Sequence, residues 1–432
     1  MFSGFISAFR TPDLRKKLLL TLGILAVYRL GVAIPTPGVD YAAVQECAKT
    51  TSSNSAFDIL NLFAGGALLH LSLFALGIMP YITASIIVQL LRVLIPRFET
   101  LYREGQEGQE KLTQYTRYIT VGFAALQSAS YVTLARSGQF FPGCAYPIVP
   151  DESWQTISMM VLVMTAGTVF VMWLGERITE RGVGNGMSLL IFLSIAAAFP
   201  ANIGSIWRSS NGPTNTLLLA LLVLAVVAVV VFVEQSQRRI PVQYAKRVVG
   251  RRTLGGSSTY IPLKINMAGV IPVIFASSLL TLPMVIAQFA GDDPPGWIAW
   301  MQNNIASTSQ PLHMLLYVLL IVFFAYFYTA ITFNPDQVSD DMKKYGGFIP
   351  GIRPGKPTAD FLSYVLSRIT AAGSIYLALV ALAPMLAFVA MGVNTNIPFG
   401  GTSILILVGV GLDTVKRIQS QLEQRHYEGF LK

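Results

Sequence analysis

Runs of about twenty mainly apolar residues recur along this chain, near 18–37, 71–95, 117–136, 153–174, 185–206, 214–233, 265–289, 311–333, 368–391 and 401–418. A helix of about twenty such residues reaches across the hydrocarbon core of a bilayer, where each backbone amide must find its partner inside the protein. The remaining composition agrees: 53% of the 432 residues are hydrophobic and 12% are charged, against about 25% charged in a typical soluble domain. The expected fold class is an all-α polytopic membrane protein with ten transmembrane helices.

An even number of spans puts both termini on one side of the membrane, together with the loops after spans two, four, six and eight. Those segments and the span ends bordering them hold all of the 31 Lys and Arg except Arg29, Lys49, Arg136 and Arg208. Basic residues stay on the cytoplasmic side, so both termini are expected there, in the cell (cytoplasmic) membrane. Arg10, Arg15, Lys16 and Lys17 precede an apolar run that continues to Ile34 without an A-x-A cleavage site. That pattern predicts a retained first span and no cleaved signal. Cys47 and Cys144 fall in predicted exterior loops, where a disulfide is chemically possible. The spacing does not fix their separation, and two unpaired thiols are the expected reading.

One motif occurs twice, GIMPYITASII at 77–87 and GVIPVIFASSL at 269–279. Gly77 with Pro80, and Gly269 with Pro272, weaken a helix inside an apolar run, so each break should face protein or a water-filled cavity. Interrupted spans at matching positions of two halves mark a functional centre. With five spans per half, the second half enters the membrane from the opposite side, giving two inverted five-helix halves around a central pore. The expected division is 1–206 for spans one to five, 207–213 for an exterior hinge, and 214–432 for spans six to ten. The last part includes large cytoplasmic loops at about 234–264 and 334–367. The stretch SAFDILNLFAGGALL, 55–69, is too short and glycine-broken to span. It reads either as a re-entrant half-helix in the central cavity or as an interfacial helix on the outer surface.

The span interiors hold almost no ionisable side chains. Arg29 lies toward the outer end of span one, where a long basic side chain is expected to snorkel, and His70 and His313 lie at span boundaries. An ion-coupled secondary transporter with inverted repeats is the alternative function, but it needs intramembrane carboxylate, lysine or histidine groups to bind its ion. Enzyme signatures fail on inspection. GIRPGKPT at 351–358 has Pro350 where a phosphate loop needs glycine, and GVGNG at 182–186 lacks dinucleotide spacing. H-E-x-x-H and G-x-S-x-G do not occur, and three His and two distant Cys give neither metal nor nucleophile chemistry its residues. No cofactor and no enzyme activity are expected. What remains is a pathway with apolar walls. Ile78 and Ile82 share a helix face, as do Met187 and Ile191, and Ile274 matches Ile82 in the repeat. Such side chains could meet as a constriction that excludes water, although each one alone reads more readily as ordinary packing.

The ordered motifs LFALGIMPYITASIIVQLL (73–91), WLGERITERGVGNGMSLLIF (173–192), RRIPVQYAKR (238–247), PLKINMAGVIPVIFASS (262–278), FIPGIRPGKPTADF (348–361) and GGTSILIL (400–407) give the chain its family likeness. By them it resembles the SecY family, the central channel subunits of the Sec protein translocase. The resemblance implies a protein-conducting channel that passes unfolded preproteins and releases membrane helices sideways. It places the pore ring on Ile78, Ile82, Met187, Ile191, Ile274 and Ile406, with Met187 departing from the usual isoleucine. It puts a re-entrant plug helix at about 57–69, with Phe57, Ile59, Leu60, Leu62, Phe63, Gly65 and Gly66. The lateral gate falls between spans two and seven, where Gln89 and Asn266 could hydrogen-bond across the seam. Docking of the SecA ATPase or the ribosome is implied at Arg238, Arg239, Lys246, Arg247, Arg251, Arg252, Arg353 and Lys356. SecE, SecG, the signal sequence and membrane lipid are the remaining implied partners.

Overall fold

The computed structural model describes residues 11–50, 61, 64–136, 146–151, 153–207, 212–244, 247–249, 252–254, 258–288, 295–301, 304–305, 310–391 and 401–429. In chain order the helices are α1 (Pro12–Ala33), α2 (Tyr41–Thr50), α3 (Met79–Leu94), α4 (Pro96–Arg103), α5 (Gln106–Arg136), α6 (Trp154–Arg181), α7 (Gly186–Trp207) and α8 (Gly212–Gln235). They continue with α9 (Ile271–Gln288), α10 (Gly296–Met301), α11 (Pro311–Thr332), α12 (Pro335–Lys344), α13 (Lys356–Met391) and α14 (Gly401–Gly429). One long helix therefore falls on each predicted span. By length and composition alone, four segments among the described residues can cross a bilayer: Trp154–Arg181, Leu217–Gln235, Pro311–Lys344 and Lys356–Ala387.

Prolines and caps set several boundaries. Pro96 forces Ile95 into extended backbone, φ −116° and ψ 114°, and α4 leaves α3 at a bend of 100°. The Ser153 side chain caps α6 by accepting from the Thr156 amide. Just before it, the Thr156 hydroxyl and the Ser153 amide donate to Asp151 and hold its carboxyl below the usual range.

The packing repeats. In the first half α3 lies against α5, α5 against α6, α6 against α7, and α1 against α6 and α7. The second half has the matching set: α9 with α11, α11 with α13, α13 with α14, and α8 with α13 and α14. Between the halves, α3 meets α9 and α7 meets α14, so equivalent helices face one another. One apolar core runs through both halves.

The expectation of an all-helical chain needs correction, because the loop predicted at 234–264 folds as β structure. Strand β1 (Gln237–Tyr244) pairs antiparallel with β4 (Ser258–Lys264), from Gln237 opposite Lys264 to Gln243 opposite Ser258. Further out, β2 (Arg247–Val249) pairs with β3 (Arg252–Leu254), and β5 (Gly347–Phe348) adds to β1. Ile240 and Val242 alternate inward while Arg239 and Pro241 face out, the period of a half-buried strand. Ile240, Val242 and Leu263 join Met342, Ile349, Leu362 and Val365 in a separate apolar core. Both large loops are thus tied to the start of α13.

Cys47, buried in α2, is disulfide-bonded, which overturns the expectation of two unpaired thiols. Spacing in sequence carries no information on the approach of two loops. The chain's one other cysteine, Cys144, lies outside the described residues. A thiol-reactive label is expected to leave the folded, unreduced protein unmodified and to add two groups per chain after reduction, read by intact mass. Labelling without reduction would refute the bridge.

Candidate functional site

The twin motif launches two helices and does not interrupt them. Gly77 and Gly269 adopt left-handed backbone, φ +56° and +61°, a region costly for residues with a side chain. Each helix starts two residues later, at Met79 and Ile271. Pro80 and Pro272 then occupy the first turn, where a missing amide hydrogen costs nothing. The hydrogen bonds match as well. Ile82 and Tyr81 donate to the Ile78 carbonyl at 3.2 and 3.1 Å, while Ile274 and Val273 donate to that of Val270 at 3.2 Å each. Span two, expected from residue 71, is therefore helical only from Met79, and residues 64–78 form successive turns.

Ile78, Ile82, Ile191, Ile274 and Ile406 are all buried and belong to one apolar cluster, with Met187 packed against it. The cluster draws them from α3 and its lead-in, α7, α9 and α14. Met187 lies over α6, where a Cβ built on Gly175 would stand 2.4 Å from its sulfur, so the flexible thioether fills space that Gly175 leaves.

Of the predicted plug residues, Phe57, Ile59, Leu60, Leu62 and Phe63 lie outside the described residues, and Gly65 and Gly66 lie within them. Both glycines are left-handed, φ +68° and +91°. Ala64, Ala67 and Leu68 beside them are buried. Arg29 on α1 donates from Nη1 to the Gly65 carbonyl at 2.8 Å, and Tyr28 exchanges a 2.8 Å hydrogen bond with Ser194 on α7. The snorkelling expected of Arg29 is therefore corrected: its guanidinium ties α1 to the buried turn. Residues 34–36 pair with 71–73 through Thr36 to Leu71 and Leu73 to Ile34, at 3.0 and 2.8 Å.

The two amides expected at the gate do not bridge the seam through their hydrogen bonds among the described residues. Gln89 donates to Ser85 in its own helix at 3.2 Å, and its Oε1 is buried with no partner. Asn266 donates from Nδ2 to Glu234 at 2.6 Å and to the Gly269 carbonyl at 3.0 Å. Lys416 on α14 donates to the Glu234 backbone carbonyl at 3.0 Å. Asn266 thus fastens the lead-in of α9 to the end of α8, which Lys416 ties in turn to the middle of α14. Sequence reasoning passed over Glu234, although a carboxylate closing a long apolar run was the available signal.

Arg238 and Arg239 are exposed on β1, with Arg239 stacked 4.9 Å over Tyr260. Arg247 and Arg252 fall on β2 and β3, while Lys246 and Arg251 lie outside the described residues. Arg353 and Lys356 are exposed at a turn held by left-handed Gly351 and Gly355. The Thr358 hydroxyl donates to the Arg353 carbonyl at 2.9 Å and that of Ser339 to the Gly355 carbonyl at 2.6 Å, so α12 and α13 brace this basic turn.

The SecY family model matches residues 72–415, a stretch that takes in both launch motifs and both basic loops. The chain belongs to the SecY family. Protein translocase subunit SecY of Streptomyces scabiei is 61% identical over 438 residues, and that of Mycobacterium tuberculosis (strain ATCC 25618 / H37Rv) is 57% identical over 442 residues. Each match covers 100% of both chains. The SecY fold extends to solved structures at low identity. The structure of a protein conducting channel aligns with a TM-score of 0.62 at 19% identity, covering 94% of this chain and 91% of that one. Sec61 in the canine ribosome-channel complex from the endoplasmic reticulum aligns with a TM-score of 0.60 at 18% identity, with the same coverages.

Proposed function

We infer that the chain is the protein-conducting channel of a Sec translocase. It passes unfolded secretory proteins across the cytoplasmic membrane and releases apolar helices sideways into it. The observation that carries this reading is the meeting of α3 and α9, launched by the same left-handed glycine turn, beside one apolar cluster that contains all the ring isoleucines. An apolar constriction excludes water and ions at rest, and aliphatic side chains deform around a passing chain. The ion-coupled transporter reading is not favoured, because the predicted spans offer it no ion site.

The ten long helices are assigned as ten spans in two inverted halves, 1–206 and 214–432, hinged at 207–213, with both termini cytoplasmic. Ile78, Ile82, Met187, Ile191, Ile274 and Ile406 form the ring. The segment at about 57–69 is the plug, held at its far end by Arg29, and the seam between α3 and α9 is the lateral gate. SecY is a channel family, and direction must come from a partner. The SecA ATPase or a translating ribosome docks on the basic strands and on the Arg353 turn, and SecE and SecG complete the complex in the lipid.

Vesicles carrying the complex test this directly. Import of an unfolded precursor driven by the motor ATPase is expected. Uptake of a small solute on an ion gradient, without motor or ribosome, would sink the channel assignment.

Arg353→Glu is expected to lower motor- or ribosome-driven translocation roughly tenfold, since charge reversal turns steering attraction into repulsion. The side chain is exposed and the turn is braced by backbone acceptors, so melting of the purified protein should not change. Loss of folding would instead make the residue structural.

A further inference from the structure

Two carbonyls sit where no side chain could stand. A Cβ built on Gly167 of α6 would lie 2.0 Å from the Leu73 oxygen, and one on Gly373 of α13 would lie 2.6 Å from the Ile265 oxygen. Leu73 is four residues before Gly77, and Ile265 is four residues before Gly269. The receiving helices also correspond, being the fourth and ninth long helices, as α3 and α9 are the second and seventh. Local chemistry repeats as well. Each glycine follows an alanine and precedes a buried hydroxyl that bonds back into its own helix, Thr168 to the Met164 carbonyl at 3.1 Å and Ser374 to that of Ala371 at 2.9 Å.

We propose that Gly167 and Gly373 are paired positioning residues, each seating the turn from which one gate helix starts and so fixing the tilt of α3 or α9. The proposal rests on the channel reading. A carbonyl lodged against a bare glycine Cα sits closer than any side chain allows, and it gains a weak Cα–H···O contact. Displacing it moves the left-handed glycine four residues on, and with it the first turn of the helix. Because the two seats are equivalent, the gate helices pivot as a matched pair, each anchored within its own half and free along the seam between halves.

Gly373→Ala is the variant of choice, because its contact, 2.6 Å against 2.0 Å, is the looser of the two, and the added methyl must push the Ile265 carbonyl and its turn aside. Gly122→Ala, a helical position with nothing within 4 Å, is the control. The readout is the translocation of a precursor with a defective signal sequence relative to one with an intact signal. Gly373→Ala is expected to raise that ratio roughly fivefold, the low end of ordinary conformational coupling, with the intact precursor retained. Gly269→Ala strains the same turn at φ +61° without touching any atom, so it is expected to shift the ratio in the same direction even where Gly373→Ala does not accumulate.

An unchanged ratio in both variants would overturn the proposal. So would an equal loss of both precursors at normal abundance, which would make the glycines merely structural. Failure of the unsubstituted protein to import the intact precursor would count against the channel reading, and is thereby distinguished.

Discussion

Ile82→Asn and Ile274→Asn are each expected to raise resting ion conductance about tenfold and to admit precursors with defective signal sequences. Both isoleucines are buried in the same apolar cluster, at 7% and 5% exposure. A carboxamide placed there without a partner costs about 1–3 kcal/mol, and entering water recovers that cost. Since about 1.4 kcal/mol is a factor of ten in population, a wetted constriction should be occupied about ten times more often. Planar-bilayer conductance without motor or ribosome measures the leak, and vesicle import measures the signal requirement. An unchanged conductance in both variants would refute their place in the ring. The pair is more informative than either alone, because Ile82 and Ile274 stand five residues beyond matching glycines on facing helices.

Much of this was legible in the sequence because membrane helices announce themselves by length. Each apolar run became a helix, since lipid leaves the backbone no other partner for its amides. The repeat was legible too, but its geometry was not. Gly77 and Pro80 inside a run signal a break without saying whether the chain upstream is helix or turn, and residues 64–78 proved to be turns. The loop at 234–264 was read as a connection although Ile240 and Val242 alternate as in a strand, because two inward residues are too short a pattern to weigh. Arg29 was read as snorkelling because its acceptor, the Gly65 carbonyl, is a backbone atom with no sequence signature. Glycine seats at 167 and 373 were invisible for the same reason: what each glycine avoids is a carbonyl brought there only by the fold.

Asn266→Asp is expected to make the resting leak pH-dependent, with the larger leak at high pH. Asn266 lies 4% exposed and donates to Glu234 at 2.6 Å, in the last turn of α8. The replacement puts a second carboxyl where the donor was. Once both groups are ionised at high pH, like charges at that distance cannot both stay in place. The lead-in of α9 is then pushed off the end of α8, and the seam loosens. When acidification lets the pair share one proton, the O–H donates where the amide did, and the tether re-forms. Lys264 and Lys416 stand near Glu234 and soften the repulsion, while Asp413 adds to it. The expected result is a leak roughly tenfold above the unsubstituted protein at pH 8, falling to its level at pH 5. Asn266→Ala, which deletes the donor without adding charge, is expected to leak equally at both values. An aspartate variant that leaks no more than the alanine variant at pH 8, or whose leak does not fall on acidification, would mean that the Asn266–Glu234 contact does not hold the gate.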